Sequence, residues 1–239
     1  MQPPYLFEHM DEASERKPTP VITYLLMALM VFLQVYLSLL PSARALHIFE
    51  AYSLMPVRLL DGVFLDSIVS YIFMHGNWVH LSVNVIALIG AGIIVERDIG
   101  HLRFLILFIV SGVLAGIAHC YLNPLSSVPL IGSSGAIFGI IAVLFLFMPF
   151  KLTYALVVPL PSVVVGLMLV LVESSAIWIA NDIAIAHDAH IVGFLTGCIY
   201  AFITDKRRAL KGLIVAAAIL VLMYFISLYY GVPLDTFKG

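Results

Sequence analysis

Ser134 lies in the run Gly132-Ser133-Ser134-Gly135-Ala136-Ile137-Phe138-Gly139, a small hydroxyl set between glycines at the mouth of an apolar stretch. A serine becomes a nucleophile only when a positioned base takes its proton, and histidine, with an ordinary pKa of about 6.5, suits that task. His190, in Ala186-His187-Asp188-Ala189-His190-Ile191-Val192-Gly193, is the candidate base. Attack on a carbonyl also needs donors aimed at the developing oxyanion. His80 and Asn84, at i and i+4 on one helical face, can supply them, together with the backbone N–H of Ser134 at a helix N-terminus. The chemistry is nucleophilic acyl transfer. Each residue alone has a plainer reading: Ser134, or equally Ser133, can cap a helix, His190 can be interfacial, and His80 and Asn84 can join helix to helix. Capping explains one serine but not the flanking glycines.

These residues sit in a chain that is 62% hydrophobic and 11% charged, with mean hydropathy +1.09, where a soluble domain has roughly 25% charged residues. The composition is that of a polytopic membrane protein. Apolar stretches near or above the ~20 residues needed to cross a bilayer run over 21–40, 79–95, 104–122, 135–150, 155–180, 189–204 and 212–230, predicting seven spans. Runs such as Leu105-Ile106-Leu107-Phe108-Ile109-Val110 do not alternate, which favours helices over a barrel. The first span follows an acidic stretch and is read as retained, not as a signal peptide. Cys120 and Cys198 both fall in predicted helices, which argues against a structural disulfide. No basic arm or aromatic-basic stripe points to nucleic acid.

Lysine and arginine set the orientation. With a cytoplasmic N-terminus, Arg16, Lys17, Arg97, Arg103, Lys151, Lys206, Arg207, Arg208 and Lys211 lie inside, and only Arg44, Arg58 and Lys238 outside. The even-numbered spans then bring His80, Asn84, Ser134 and His190 to one outer depth. The odd-numbered spans carry almost nothing comparable, with His119 as the main exception, and the fifth is expected to be poor in polar residues. Gly193 and Gly197 form a small face on the sixth span that lets it approach the fourth. Residues 1–18 are expected to be a cytoplasmic tail, 19–205 the six-helix core, and 206–239 a basic loop, a seventh span and a short outer tail. The segment 41–66 is expected to be an interfacial loop, and Pro159 and Pro161 to kink or delay the fifth span.

The set His75-x-x-x-x-His80-x-x-x-Asn84, Glu96-x-x-x-Gly100, Gly132-x-Ser134-Gly135 with Phe138-Gly139, and Ala189-His190-x-x-Gly193-x-x-x-Gly197 resembles the rhomboid family of intramembrane serine proteases. The resemblance covers residues 73 to 197, and the seventh span is similar to the family's six-plus-one arrangement. It implies an all-α rhomboid-like bundle with a Ser134–His190 dyad and no aspartate. It also implies an oxyanion hole from the second span and cleavage of transmembrane segments in the bilayer without metal or cofactor. Phe138 matches the aromatic that packs on the base. There are two departures: the first loop lacks the Trp-Arg pair of some members, and Asp98 stands where those members often carry a basic residue.

Gly132 and Gly135 are expected to leave room for substrate backbone, His75 to pin the first loop, and Glu96 to serve structure at the cytoplasmic end. The fifth span is expected to act as a lateral gate. The lack of a transit peptide or large soluble extension suggests a multi-pass protein of a prokaryotic plasma membrane. Two alternatives are carried forward. One is a metal-handling protein using His75, His80, His119, His187, Asp188 and His190; the other is an inactive rhomboid-like fold that binds membrane clients.

Overall fold

The computed structural model describes residues 18–60, 62, 65–156, 158–179 and 185–230. The expected tail, residues 1–18, lies outside these except for Pro18, as does the outer tail beyond Tyr230. The architecture is helical, apart from one two-stranded hairpin among the described residues. The seven long helices are α1 (Val21–Leu39), α5 (Trp78–Ile99), α6 (His101–Leu122), α7 (Ser134–Phe147), α8 (Ser162–Ile179), α9 (His187–Thr204) and α10 (Lys206–Tyr229). Each expected span thus contains one of these helices, although 135–150 and 155–180 also take in residues that are not helical. Four of them, α1, α5, α6 and α10, are long and apolar enough on their own to cross a membrane.

α7 is the centre of the bundle. Gly135, Ala136, Ile137 and every residue from Gly139 to Leu146 are buried, so this helix is apolar all round because it has neighbours all round. Its 14 residues rise only about 21 Å, less than the roughly 30 Å of a hydrocarbon core. A span completed by the irregular chain that flanks it is tolerable where that chain lines a cavity. α1 and α10 are peripheral. α1 buries Thr23, Leu26, Met30 and Gln34 on one stripe while Leu25, Phe32 and Leu39 stay exposed, the pattern of a helix with lipid on its outer side.

Two places differ from the apolar pattern. Residues 152–161 form a hairpin, β1 (Leu152–Leu156) and β2 (Val158–Pro161), with Leu152 opposite Pro161. Pro159 and Pro161 thus delay the fifth span rather than kink it. Lacking an N–H and fixed in φ, they belong to an edge strand, and α8 begins at Ser162, the first residue after them. The segment 41–66 is also not a plain loop: it holds α2 (Ser42–Tyr52) and α3 (Pro56–Leu60), and is followed by α4 (Ser67–Ser70) and a 3₁₀ turn, Tyr71–Phe73. Leu54 pairs with Leu130 through both backbone hydrogen bonds, at 3.0 and 2.7 Å, and the Gly132 N–H donates to the Tyr71 carbonyl at 3.0 Å. These bonds fix the strand that leads into the serine.

α5 contains a π segment, Leu88–Gly92. The Gly90 carbonyl there accepts from Thr153 Oγ1 of the hairpin at 2.8 Å, which re-satisfies a backbone group that the wide turn exposes. The end of α5 fastens the start of α1: Glu96, fully buried, accepts from the N–H groups of Ile22 at 2.8 Å and Thr23 at 2.7 Å and from Thr23 Oγ1 at 2.6 Å. A carboxylate at a helix N-terminus meets both the orphan amides and the dipole. Glu96→Ala leaves those donors buried and unpaired, and is expected to lower unfolding stability by about 2–4 kcal/mol, read by thermal unfolding in detergent. Lys206-Arg207-Arg208 opens α10 rather than forming a loop, and Arg208 pairs with Asp98 at 2.9 Å.

Candidate active site

The site is built where α7 and α9 touch. Gly193 lies against the Gly135 backbone and Gly197 against Gly139, an i, i+4 pair of missing side chains that lets two helices approach backbone to backbone. Ser134 opens α7 and His190 lies in the first turn of α9. Their side chains meet with Ser134 Oγ 2.7 Å from His190 Nε2, the distance at which a base can take a proton. Phe138, one turn below Ser134, stacks on the imidazole with ring centroids 4.5 Å apart and planes 13° from parallel. Neither serine caps α7 through its side chain: the Ser133 hydroxyl is buried without a partner and Ser134 faces the histidine. The plainer capping reading therefore does not describe this helix.

Gly132 has φ of +106°, and a Cβ there would stand 2.7 Å from His80 Nε2 and 3.9 Å from Asn84 Nδ2. A glycine is required twice over, by the left-handed backbone and by the imidazole pressed against it. Asn84 is buried and donates from Nδ2 to the His80 carbonyl at 2.9 Å, leaving its second amide hydrogen uncommitted. Asn77 caps α5 by accepting from the His80 N–H at 2.8 Å. His75, in the turn before α5, is buried, stands 3.2 Å from the Phe73 carbonyl and packs edge-on to His80 at 5.1 Å. Burial and then His80 push the His75 imidazole down to about 4, so it is neutral near pH 7. His80, Asn84, Ser134 and His190 all line one cavity of about 1040 Å³, so the helices bring together the four residues expected to share an outer depth.

The expected poverty of the fifth span in polar residues is wrong at one position. Glu173, on α8 and 7% exposed, places Oε2 2.5 Å from His187 Nδ1 and Oε1 3.1 Å from His190 Nδ1. The second contact is at ion-pair distance but lacks the alignment of a hydrogen bond. The signal was present in the sequence, since Glu173 is the sole charged residue of Ser162–Ile179 and such a residue marks a site by default. His119 and Asp188 were also unpaired on paper. They meet at 2.8 Å, with Asn123 donating to Asp188 at 2.7 Å, and so tie the end of α6 to the start of α9.

Among the described residues, Glu173, His187 and His190 offer donor atoms within 4.8 Å of one another, a set that can hold a metal ion. The histidines named for metal handling are instead divided. His75 packs on His80, His119 pairs with Asp188, and His187 and His190 share Glu173. Tetrahedral zinc with ligands at about 2.0–2.1 Å separates them by roughly 3.3 Å, wider than the 2.5 Å between Glu173 and His187. Proton sharing suits that contact better.

Fold and site together define a polytopic helical membrane protein that holds a serine–histidine pair in a cavity between its helices. A Rhomboid domain is matched over residues 65–207, and the chain belongs to the rhomboid family. It is 31% identical over 137 residues to "Rhomboid-like protease 5" of Toxoplasma gondii, covering 56% of this chain and 16% of that protein. It is 30% identical over 125 residues to "Rhomboid protease GluP" of Bacillus subtilis (strain 168), covering 52% of this chain and 24% of that protein. It is 31% identical over 74 residues to "RHOMBOID-like protein 5" of Arabidopsis thaliana, covering 31% of this chain and 24% of that protein. The matched part thus spans at most about a quarter of each of these relatives.

Proposed function

We propose that the protein is an intramembrane serine endopeptidase that cleaves transmembrane segments of other membrane proteins near the outer leaflet. The observation that carries this reading is the 2.7 Å contact between Ser134 Oγ and His190 Nε2 inside a cavity also lined by His80 and Asn84. The rhomboid membership supports it.

In the proposed reaction a substrate helix unwinds at the cavity and presents a peptide carbonyl to Ser134. Nε2 of His190 takes the hydroxyl proton as the Oγ–C bond forms. The oxyanion is held by the Ser134 N–H, by the free hydrogen of Asn84 Nδ2 and by His80. The tetrahedral intermediate then expels the amine, which takes the proton from His190 and leaves an acyl-enzyme. Water, admitted by the cavity, gives a proton to His190 as it attacks the ester carbonyl; the second tetrahedral intermediate then breaks its bond to Oγ, which takes that proton back from His190 and releases the new carboxyl end. Phe138 keeps the imidazole in one plane throughout, and the glycine at 132 leaves the carbonyl room to approach.

With its N-terminus cytoplasmic, the protein presents this site toward the outer side of a plasma membrane. The test is covalent. A fluorophosphonate is expected to label purified protein, and peptide mapping to place the adduct on Ser134. An adduct on Ser133, or no adduct in a preparation that cleaves a model transmembrane substrate, would remove the proposal.

A further inference from the structure

The resemblance that names Ser134 and His190 leaves His190 Nδ1 without a carboxylate, yet one stands beside it. Burying an ionisable group in an apolar helix is costly, and α8 spends its sole charge at Glu173. Both oxygens of that carboxylate face α9, one toward His187 at 2.5 Å and one toward His190 at 3.1 Å. His190 therefore has a carboxylate on one ring nitrogen and the Ser134 hydroxyl on the other. A proton on Nδ1 leaves the Nε2 lone pair free for Ser134, and the carboxylate favours that tautomer. It also stabilises the imidazolium that forms once the serine gives up its proton.

We infer that Glu173 is a positioning residue for the base, a third member of the catalytic set that acts through His190 and divides its carboxylate with His187. The inference rests on the Ser134–His190 reading of the preceding section. Asp188 is the other carboxylate nearby, but it is engaged by His119 and Asn123. The titratable groups facing His190 and Glu173 are then His187 on α9, His80 on α5, and the His119–Asp188 pair joining α6 to α9. None of these offers His190 Nδ1 a second acceptor.

The experiment compares wild type, Glu173→Gln, Glu173→Asp, His187→Ala and Ser134→Ala, full length and in detergent, on a model transmembrane substrate and on a fluorophosphonate. Glu173→Gln is expected to lower kcat about 10²-fold with KM changed less than about twofold, below the about 10⁴-fold loss of an amide swap in a fully aligned triad. The loss should appear equally in single-turnover cleavage and in the fluorophosphonate labelling rate, because both need His190 to take the Ser134 proton. Glu173→Asp should recover part of kcat, and serves alone if the amide fails to fold. His187→Ala, which removes one of the two partners of the Glu173 carboxylate, is expected to lower kcat by clearly less than Glu173→Gln does.

An unchanged kcat and labelling rate in Glu173→Gln would overturn the inference. So would a loss matched by an equal loss in His187→Ala, since the cluster would then be structural. Should Ser134→Ala cleave as well as wild type, it is the serine-protease reading that falls. If Ser134→Ala is dead and Glu173→Gln is normal, only the present inference does.

Discussion

Alanine at position 190 is expected to lower kcat by a factor on the order of 10⁴–10⁶ while the protein stays folded and substrate binding is nearly unchanged. The imidazole is half-buried, and its contacts belong to the site: Ser134 at 2.7 Å, the Phe138 ring and Glu173. What joins α9 to α7 lies below it, at Gly193 and Gly197. Removing the ring therefore costs packing against one aromatic face but does not separate the helices. Without an acceptor at Nε2 the Ser134 hydroxyl keeps its proton at the moment of attack, and only the oxyanion donors continue to act. In soluble serine proteases loss of the base alone is about as damaging as loss of the whole set, so Ser134→Ala and the double variant should fall to the same residual rate as His190→Ala. Single-turnover cleavage and the fluorophosphonate labelling rate both read this, with a thermal melt as the folding control. A His190→Ala protein that labels at the wild-type rate would show that another group deprotonates Ser134.

The residues that act through chain-local pattern were legible before any fold was known. Gly132, Ser134 and Gly135 stand together, and Gly193 and Gly197 are one helical turn apart, so hydropathy and spacing placed them on helices that had to touch. What could not be read depended on neighbours distant in the chain. Asp188 and His119 are separated in the chain by α7, the hairpin and α8, and only packing shows that they pair. Glu173 was obscured because an average over an apolar window absorbs one carboxylate, although its cost in lipid made it the most informative residue of that helix. The hairpin at 152–161 looked like span because valine, leucine and proline raise hydropathy in a strand as in a helix. There the prolines, not the apolar average, were the evidence to follow. The π segment of α5 had no local signal beyond its glycines, since the carbonyl it frees is met by Thr153 from a later element.

Gly193→Ala adds a single methyl group and is expected to be among the most damaging changes possible outside the reacting atoms. Helix propensity alone predicts a gain of about 1 kcal/mol for this substitution. Packing decides the sign the other way. A Cβ at 193 falls on the carbonyl oxygen and carbon of Gly135 and stands 3.1 Å from its Cα. These are backbone atoms of the most buried helix, so no rotamer change relieves the clash. Overpacking typically costs about 1–3 kcal/mol where side chains can yield, and the upper end applies where they cannot. The helices must part, and they carry Ser134 on one side and His190 on the other. A displacement of about 1 Å in a catalytic pair can cost about 10²-fold in rate, so activity should fall by at least that factor along with a lowered melting temperature. Gly197→Ala tests the same geometry one turn deeper: its Cβ meets the Gly139 backbone, farther from the serine. It should lose comparable stability but less activity, because the helices can hinge about the intact contact at Gly193. Equal losses of activity at the two positions would mean that α9 shifts as a rigid body, and wild-type stability at both would mean that α7 and α9 do not approach as closely as their glycines allow.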